Sequence, residues 1–262
     1  MNPLDQAAQT RFRAAIVAAW SIPSGARVLE IGCGQGDMTA VLAETVGPHG
    51  RVVAVDPAPP DYGTPVTIGE SIRALATGPY ADRLESRLGF DPLAPENDFA
   101  DDAFDFVVLA HCTWYFPSID VLRATLARVR RWAPRLAVSE WNLRPTSLDQ
   151  TGHALAALIG GQIEAFRESR EANIRTPYSR EALATLLDQT GWSLKSESSI
   201  DAPDLQDAEW EIAALLRESL ALDDLPPRLG DLVRSELDIL RALSARTEPR
   251  PLSSYAILAG RV

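Results

Sequence analysis

Cysteine and positive charge are both scarce in this chain of 262 residues. The two cysteines, Cys33 and Cys112, are too few for a disulfide framework and are typical of a protein of the reducing cytoplasm. Lysine and arginine number 25 against 36 aspartate and glutamate residues, which gives a formal net charge of -11. Because such a surface repels phosphate, we expect neither nucleic acid nor an anionic membrane as a partner.

Long apolar runs are missing as well. No stretch approaches the roughly 18 apolar residues that a membrane-spanning helix needs. Residues 1–20 carry Asp5 early and lack the basic start of a signal peptide. Their apolar residues Phe12, Ile16 and Trp20 recur at helical spacing, which predicts an amphipathic helix. We therefore expect a cytoplasmic protein.

Short apolar runs alternate with longer helical patterns, which predicts a parallel sheet flanked by helices. The runs that predict strands are 27–31, 51–56, 83–88, 104–110, 135–141, 192–200 and 252–262. Only helical material separates the last two, and this favours an antiparallel pair at one edge of the sheet. The fold class expected is α/β: a seven-stranded, mostly parallel sheet with helices on both faces and an antiparallel last strand. The whole chain, 1–262, is expected to form a single domain.

The helical patterns fall between these strands, and two of them interrupt the regular alternation. Helices are predicted at 38–47, 70–78, 118–132, 147–171 and 179–190, with two or more in 205–246. The interruptions are the segments 143–178 and 201–248, which both leave the sheet at the carboxyl ends of strands, where open α/β sheets bind ligands. We expect these insertions to form a helical cap over a pocket, with Phe166, Tyr178 and Trp210 facing into it. A dimer interface is the alternative.

A glycine-rich turn follows the first predicted strand in the stretch VLEIGCGQGD (28–37). Gly32, Gly34 and Gly36 allow a ligand to touch the backbone, and the next helix adds free N–H groups. The second strand ends in Asp56, which is placed to accept hydrogen bonds from ribose hydroxyls. Glu30 would repel a pyrophosphate at this turn but would attract an ammonium or a sulfonium. The pattern is also one residue shorter than the dinucleotide fingerprint G-x-G-x-x-G.

The stretch LEIGCGQG resembles the first motif of class I S-adenosylmethionine-dependent methyltransferases, and VVAVDP resembles their second. The resemblance covers residues 27–142 well and the last two strands in outline. It implies S-adenosylmethionine as cofactor and a small organic acceptor, aromatic or similar to a secondary metabolite. The family's adenine contact follows strand three, where LGFDPL offers Asp91, and its motif after strand four falls on LAHCTWYF, centred on His111. The cofactor-binding residues implied are Glu30, Gly32, Gly34, Gly36, Asp56, Pro57, Asp91 and His111.

Three residues are candidates for catalysis. His111 lies at the carboxyl end of strand four and is the preferred general base; its alternative role is to pack against the cofactor or to orient a loop. His153 opens the first cap helix and is expected to point into the site. Glu140 ends strand five, where it would bind a hydroxyl or an ammonium of the substrate. No metal is expected, because catechol-type enzymes need a further acid after strand four and AHCT stands there.

Other functions remain open at this stage. The same pocket would serve a cyclisation or rearrangement that uses the charge of S-adenosylmethionine without methyl transfer, or a non-catalytic scaffold. The tetrapeptide NPPY, carried by enzymes that methylate amino groups of nucleic acids and protein glutamine, does not follow strand four. A small-molecule substrate is therefore the expected partner, and a homodimer is left open.

Overall fold

The computed structural model describes residues 3–167, 174–217 and 222–262 of the chain. Its helices are α1 (Pro3–Trp20), α2 (Asp37–Val46), α3 (Ile68–Ala76), α4 (Ile119–Val129), α5 (Thr151–Phe166), α6 (Arg180–Gln189), α7 (Asp207–Leu215) and α8 (Pro227–Ser244). Its strands are β1 (Arg27–Ile31), β2 (Arg51–Asp56), β3 (Leu84–Leu88), β4 (Phe106–Ala110), β5 (Arg135–Trp141), β6 (Trp192–Ile200) and β7 (Ser254–Arg261). Short 3-10 turns cover Thr113–Tyr115 and Leu148–Gln150.

The strands form one sheet in the order β3-β2-β1-β4-β5-β7-β6. Pairing is parallel from β3 to β5, whereas β7 is antiparallel to both β5 and β6. The predicted fold class is therefore confirmed, including the antiparallel last strand. In β1, β2 and β5 every residue after the first is buried. Strands covered on both faces have nearly continuous apolar sequences, which is why sequence patterns could locate them.

The ends of several elements differ from the prediction because polar side chains bind the backbone there. The strand predicted at 104–110 begins only at Phe106, since Asp105 instead turns its carboxylate to accept the backbone N–H of Arg27 at 2.7 Å. The helix predicted at 147–171 begins as α5 after Gln150, whose amide donates to the Pro251 carbonyl at 2.9 Å. The end predicted for that helix lies outside the described residues.

Three helices from the two predicted insertions, α5, α7 and α8, share a second apolar core. Two or more helices were predicted within 205–246, and the described residues contain α7 and α8 there. Both pack against one face of α5. The buried residues of this core are Ala156, Ile159, Ile163, Ile212, Leu225, Val233, Leu237 and Leu240. The opposite face of α5 contributes Ala154 and Ala157 to the main core around the sheet. Within the three described ranges, no helix is long and apolar enough to cross a membrane.

The edge strand β6 provides a matched pair of residues that tests the main core around the sheet. Trp192 is 1% exposed and its Nε1 donates to the Leu126 carbonyl at 2.9 Å, whereas Leu194 on the same strand is 41% exposed. We expect Trp192→Ala to lower the free energy of unfolding by about 3–5 kcal/mol, the usual cost of removing a buried aromatic side chain. Leu194→Ala should change it by no more than about 0.5 kcal/mol. Urea unfolding measures both, and similar losses in the two variants would contradict the burial of Trp192.

Candidate active site

A cavity of about 710 Å³ lies at the carboxyl ends of the parallel strands. This volume is within the range of about 300–1,000 Å³ that is usual for small-molecule sites. The ends of β1, β2, β4 and β5 form its floor, α1 forms one wall and α7 contributes to another. The cavity therefore lies where the element order predicts ligand binding.

The three glycines of the turn after β1 have different roles, although all three have positive φ. A Cβ at Gly34 would meet nothing within 4 Å, so this backbone faces open space in the cavity. At Gly32 a Cβ would lie 2.7 Å from Cys112, so close packing between the turn after β1 and the loop after β4 requires glycine there. Gly36 does not line the cavity, and a Cβ there would lie 2.5 Å from Leu75 of α3. This packing accounts for glycine at position 36, and contact between Gly36 and the cofactor stays a prediction.

Asp56 holds the turn in shape as well as facing the cavity. Its Oδ2 accepts the backbone N–H of Gly34 and its Oδ1 accepts that of Ala58, both at 2.9 Å. Pro57 and Asp91 also line the cavity beyond Asp56. Two of the four lone-pair positions of the Asp56 carboxylate remain for hydrogen bonds from a ligand.

Glu30 places a buried carboxylate beside the glycine turn. The residue is 2% exposed, borders the cavity and accepts a hydrogen bond from Thr39 Oγ1 at 2.5 Å. Burial raises the pKa of Glu30 to about 7, against the lowering effect of the Thr39 hydroxyl. Because no cation neutralises it at close range in the described residues, a positively charged ligand group would favour its ionised form.

His111 borders the cavity, but both of its ring nitrogens face protein groups. Nε2 lies 2.8 Å from Ser254 Oγ, and Nδ1 lies 3.5 Å from Glu140 Oε1. Burial lowers the pKa of His111 to about 3, so the imidazole is neutral. Its backbone has a positive φ of 50°, and its ring packs edge-on against Trp141 at 4.5 Å. This geometry favours the orienting role over that of a general base.

Glu140 supports the loop that follows β4. It is 2% exposed, and its Oε2 accepts the N–H and Oγ1–H of Thr113 and the N–H of Trp114, at 2.8–3.3 Å. Burial raises the pKa of Glu140 to about 7, although the Thr113 hydroxyl and three backbone N–H groups act in the other direction. Tyr178 donates to the same Thr113 hydroxyl at 2.5 Å. Protein donors therefore already bind the carboxylate of Glu140, and its predicted contact with substrate stays a prediction.

His153 does not point into the cavity, so the expectation that it does is wrong. The side chain is fully buried, and its Nδ1 accepts the backbone N–H of Leu252 at 2.9 Å. Its Nε2 lies 2.9 Å from Glu211 Oε2, and Glu211 does line the cavity. His153 thus contacts Glu211, which lines the cavity, and does not border the cavity itself.

The aromatic residues expected in the cap do not reach the cavity. Phe166 and Trp210 are 57% and 48% exposed, and Tyr178 is buried behind Thr113. The cavity is instead bordered by aromatic residues from the loop after β4, from β5 and from α1, namely Trp114, Tyr115, Phe116, Trp141 and Phe12. Of the described residues of the two insertions, those that border the cavity are Ile174, Arg175, Leu205, Asp207 and Glu211. The helix α8 packs behind α5 and α7.

Sequence reasoning missed two groups of cavity residues. Gln9 and Arg13 of α1 border the cavity beside Phe12, and Asp207 and Glu211 of α7 border it next to them. Each group lies on one helix face by its spacing of three or four residues. This spacing indicates that the residues share a helix face, but it does not predict which part of the sheet that face packs against.

Comparison of the sequence with known proteins identifies methyltransferases as its relatives. The family model described as "Methyltransferase domain" matches residues 5–197. "Methyltransferase phomM'" of Diaporthe leptostromiformis is 28% identical over 239 residues, which cover 76% of this chain and 61% of that protein. This chain thus spans less than two thirds of the length of that relative.

Solved structures share the fold. A cyclopropane-fatty-acyl-phospholipid synthase-like protein from Lactobacillus casei superposes with a TM-score of 0.85 at 37% identity, covering 97% of this chain and 91% of its own. The [4+2]-cyclase SpnF superposes with a TM-score of 0.58 at 14% identity, covering 96% and 81%, and shows the fold alone.

The family match extends over α1 and the sheet as far as β6, and it includes the glycine turn, Asp56 and the loop after β4. The chain belongs to the class I S-adenosylmethionine-dependent methyltransferases.

Proposed function

We propose that this chain transfers a methyl group from S-adenosylmethionine to a small organic acceptor bound in the same cavity. One observation carries the proposal: the open backbone at Gly34, the carboxylates of Glu30 and Asp56, and the aromatic residues near β5 border one continuous cavity. A single chamber can hold a donor and an acceptor side by side, and such positioning supplies much of the rate of a displacement reaction.

The residues present fit S-adenosylmethionine. The cradle at Gly34 leaves room for a ligand against the backbone, and the buried Glu30 suits an ammonium. Asp56 retains acceptor capacity for ribose hydroxyls, and Pro57 and Asp91 would border the adenosine end. When bound, S-adenosylmethionine supplies a methyl group on a positively charged sulfur.

The chain itself contributes orientation and exclusion of water. The helices α1 and α7 cover the cavity at the β4 and β5 end, and Gln9 Nε2 joins them by donating to Asp207 Oδ2 at 3.3 Å. Glu140 and His111 fix the loop after β4, which carries Trp114 and Tyr115 to the cavity. Exclusion of water strengthens every polar contact inside such a site.

Turnover tests the proposed function directly. Wild-type protein incubated with S-adenosylmethionine and a panel of small aromatic alcohols, phenols and amines should release S-adenosylhomocysteine together with a methylated product. Mass spectrometry of both products is the measurement. Binding of S-adenosylmethionine with a cyclised or rearranged product and no methyl transfer would favour the cyclase function instead, and absence of binding would favour a scaffold.

Gly34 and Gly36 give a matched pair for the cofactor site. Gly34→Val should abolish binding of S-adenosylhomocysteine, because its side chain would fill the open space in the cavity. Both variants carry the strain of a positive φ, about 1–2 kcal/mol. Gly36→Val should lower stability further, since its side chain meets Leu75, Ile72 and Thr39. Calorimetric titration and thermal unfolding separate the two effects; normal binding by a folded Gly34→Val variant would show that the turn is structural.

The buried carboxylate of Glu30 predicts a pH-dependent affinity. Its folded-state pKa of about 7 means that most molecules hold it protonated below neutral pH, whereas an ammonium favours the ionised form. Affinity for S-adenosylhomocysteine should therefore rise between pH 5.5 and 7 and level off above, with a limiting slope of about tenfold per unit. The ligand's own α-amino group, with a pKa of about 7.7–8.0, stays charged over this range. Glu30→Gln should remove the dependence, and an equal slope in that variant would assign it to another group.

A further inference from the structure

Two carboxylates face the acceptor end of the cavity from successive turns of α7. Asp207 and Glu211 are four residues apart, both are partly buried, and both border the cavity. Among the residues that the structure describes, neither forms an ion pair with a lysine or an arginine. The nearby Arg13 binds Asp37, at 3.5 Å, and the side chain and carbonyl of Gln9.

A fully buried histidine orients one of these carboxylates without neutralising it. Because His153 Nδ1 accepts the backbone N–H of Leu252, the ring hydrogen lies on Nε2, and Glu211 Oε2 is 2.9 Å from this nitrogen without hydrogen-bond geometry. This tautomer is uncharged, so the contact restrains the position of Glu211 and leaves its negative charge in place.

The second carboxylate is held in the same way by a neutral donor. Gln9 Nε2 of α1 donates to Asp207 Oδ2 at 3.3 Å. Burial, followed by the charge of Glu211, raises the pKa of Asp207. The charge of Arg13 acts in the other direction but does not cancel this effect, and Arg13 forms an ion pair with Asp37 instead. A bound cation would relieve the remaining repulsion between the two carboxylates.

Aromatic rings complete the surroundings. Phe12 and Trp141 stack at 5.6 Å with an interplanar angle of 16°, and Tyr115 borders the same end of the cavity. The negative faces of such rings attract organic cations. An anionic acceptor would be repelled by the carboxylates, and a neutral acceptor would leave their charge uncompensated.

The charge of the cavity lining as a whole also favours a cationic ligand. Its described lining holds seven carboxylates, Glu30, Asp37, Asp56, Asp91, Glu140, Asp207 and Glu211, against the guanidinium groups of Arg13 and Arg175. Clefts lined by one sign of charge concentrate ligands of the other sign.

We propose that the acceptor substrate carries a basic amine, and that Asp207 and Glu211, with Glu211 positioned by His153, bind its ammonium group beside the aromatic rings. This inference rests on the proposed function, since it assigns the acceptor end of the same cavity.

Three small probes of the same aromatic size test the inference. Calorimetric titration of protein saturated with S-adenosylhomocysteine, at pH 7, compares phenethylamine, 2-phenylethanol and 3-phenylpropionate. Phenethylamine should bind at least about tenfold more tightly than the alcohol, since a hydrogen-bonded charge in a partly buried site exceeds a neutral contact by that much. The propionate should bind most weakly.

Variants of α7 assign the preference to residues. Asp207→Asn combined with Glu211→Gln should remove the preference for the amine and leave S-adenosylhomocysteine binding intact. The control is Glu209→Gln, which makes the same charge change on an exposed position of α7 that does not line the cavity, and it should retain the preference. The single variants replace the double variant if that one does not fold.

The preference of His153 variants for the amine over the alcohol tests the positioning role of His153. His153→Gln, which keeps a neutral polar N–H group beside Glu211, should retain more of the amine preference than His153→Leu at equal S-adenosylhomocysteine affinity. Equal affinities of the wild type for phenethylamine and 2-phenylethanol, or an unchanged preference in the double variant, would overturn the inference. Failure of the wild type to bind S-adenosylhomocysteine would instead overturn the proposed function.

Discussion

The architecture of the site depends on the burial of carboxylates at the ends of hydrophobic strands. A buried charge is tolerated only when hydrogen bonds or counter-ions compensate it. Glu140 meets this condition by drawing the backbone of residues 113 and 114 onto its oxygens, and Tyr178 then joins the same hydroxyl network. The backbone N–H groups of Arg175 and Thr176 both donate to the Trp114 carbonyl, at 2.9 Å. One carboxylate thereby connects the sheet, the cavity loop and the segment that leads to α6.

The cofactor end and the acceptor end of the cavity are built differently. At β1 and β2 the ligand meets backbone, because Gly34 and the N–H groups fixed by Asp56 form the surface. At β4 and β5 it meets side chains from α1, α7 and the loop after β4. A backbone surface suits a ligand that is constant within a family, whereas side chains can be exchanged without changing the fold. This difference explains why sequence motifs pointed to the first end more clearly than to the second.

Sequence patterns predicted the sheet and the cofactor end because both depend on local signals. Continuous apolar runs located β1, β2, β4 and β5, and the glycine turn with Asp56 located the site. The pattern could not separate Gly34 from Gly36, because only tertiary packing brings Leu75 over the second. The sequence pattern also could not predict the role of His153, since its partners Leu252 and Glu211 are distant in the chain. The contributions of α1 and α7 depend on how helices dock, which spacing alone does not determine.

The separate apolar core of α5, α7 and α8 has a consequence for how this protein could change over time. Among the described helices, α5 contributes buried residues to both cores, whereas α7 and α8 contribute theirs to the second core alone. Substitutions on the cavity side of α7 therefore alter the acceptor end without disturbing the buried strands that shape the glycine turn. Such an arrangement lets selection, or an engineer, explore new acceptors on one helix while the methyl-donor end keeps its geometry.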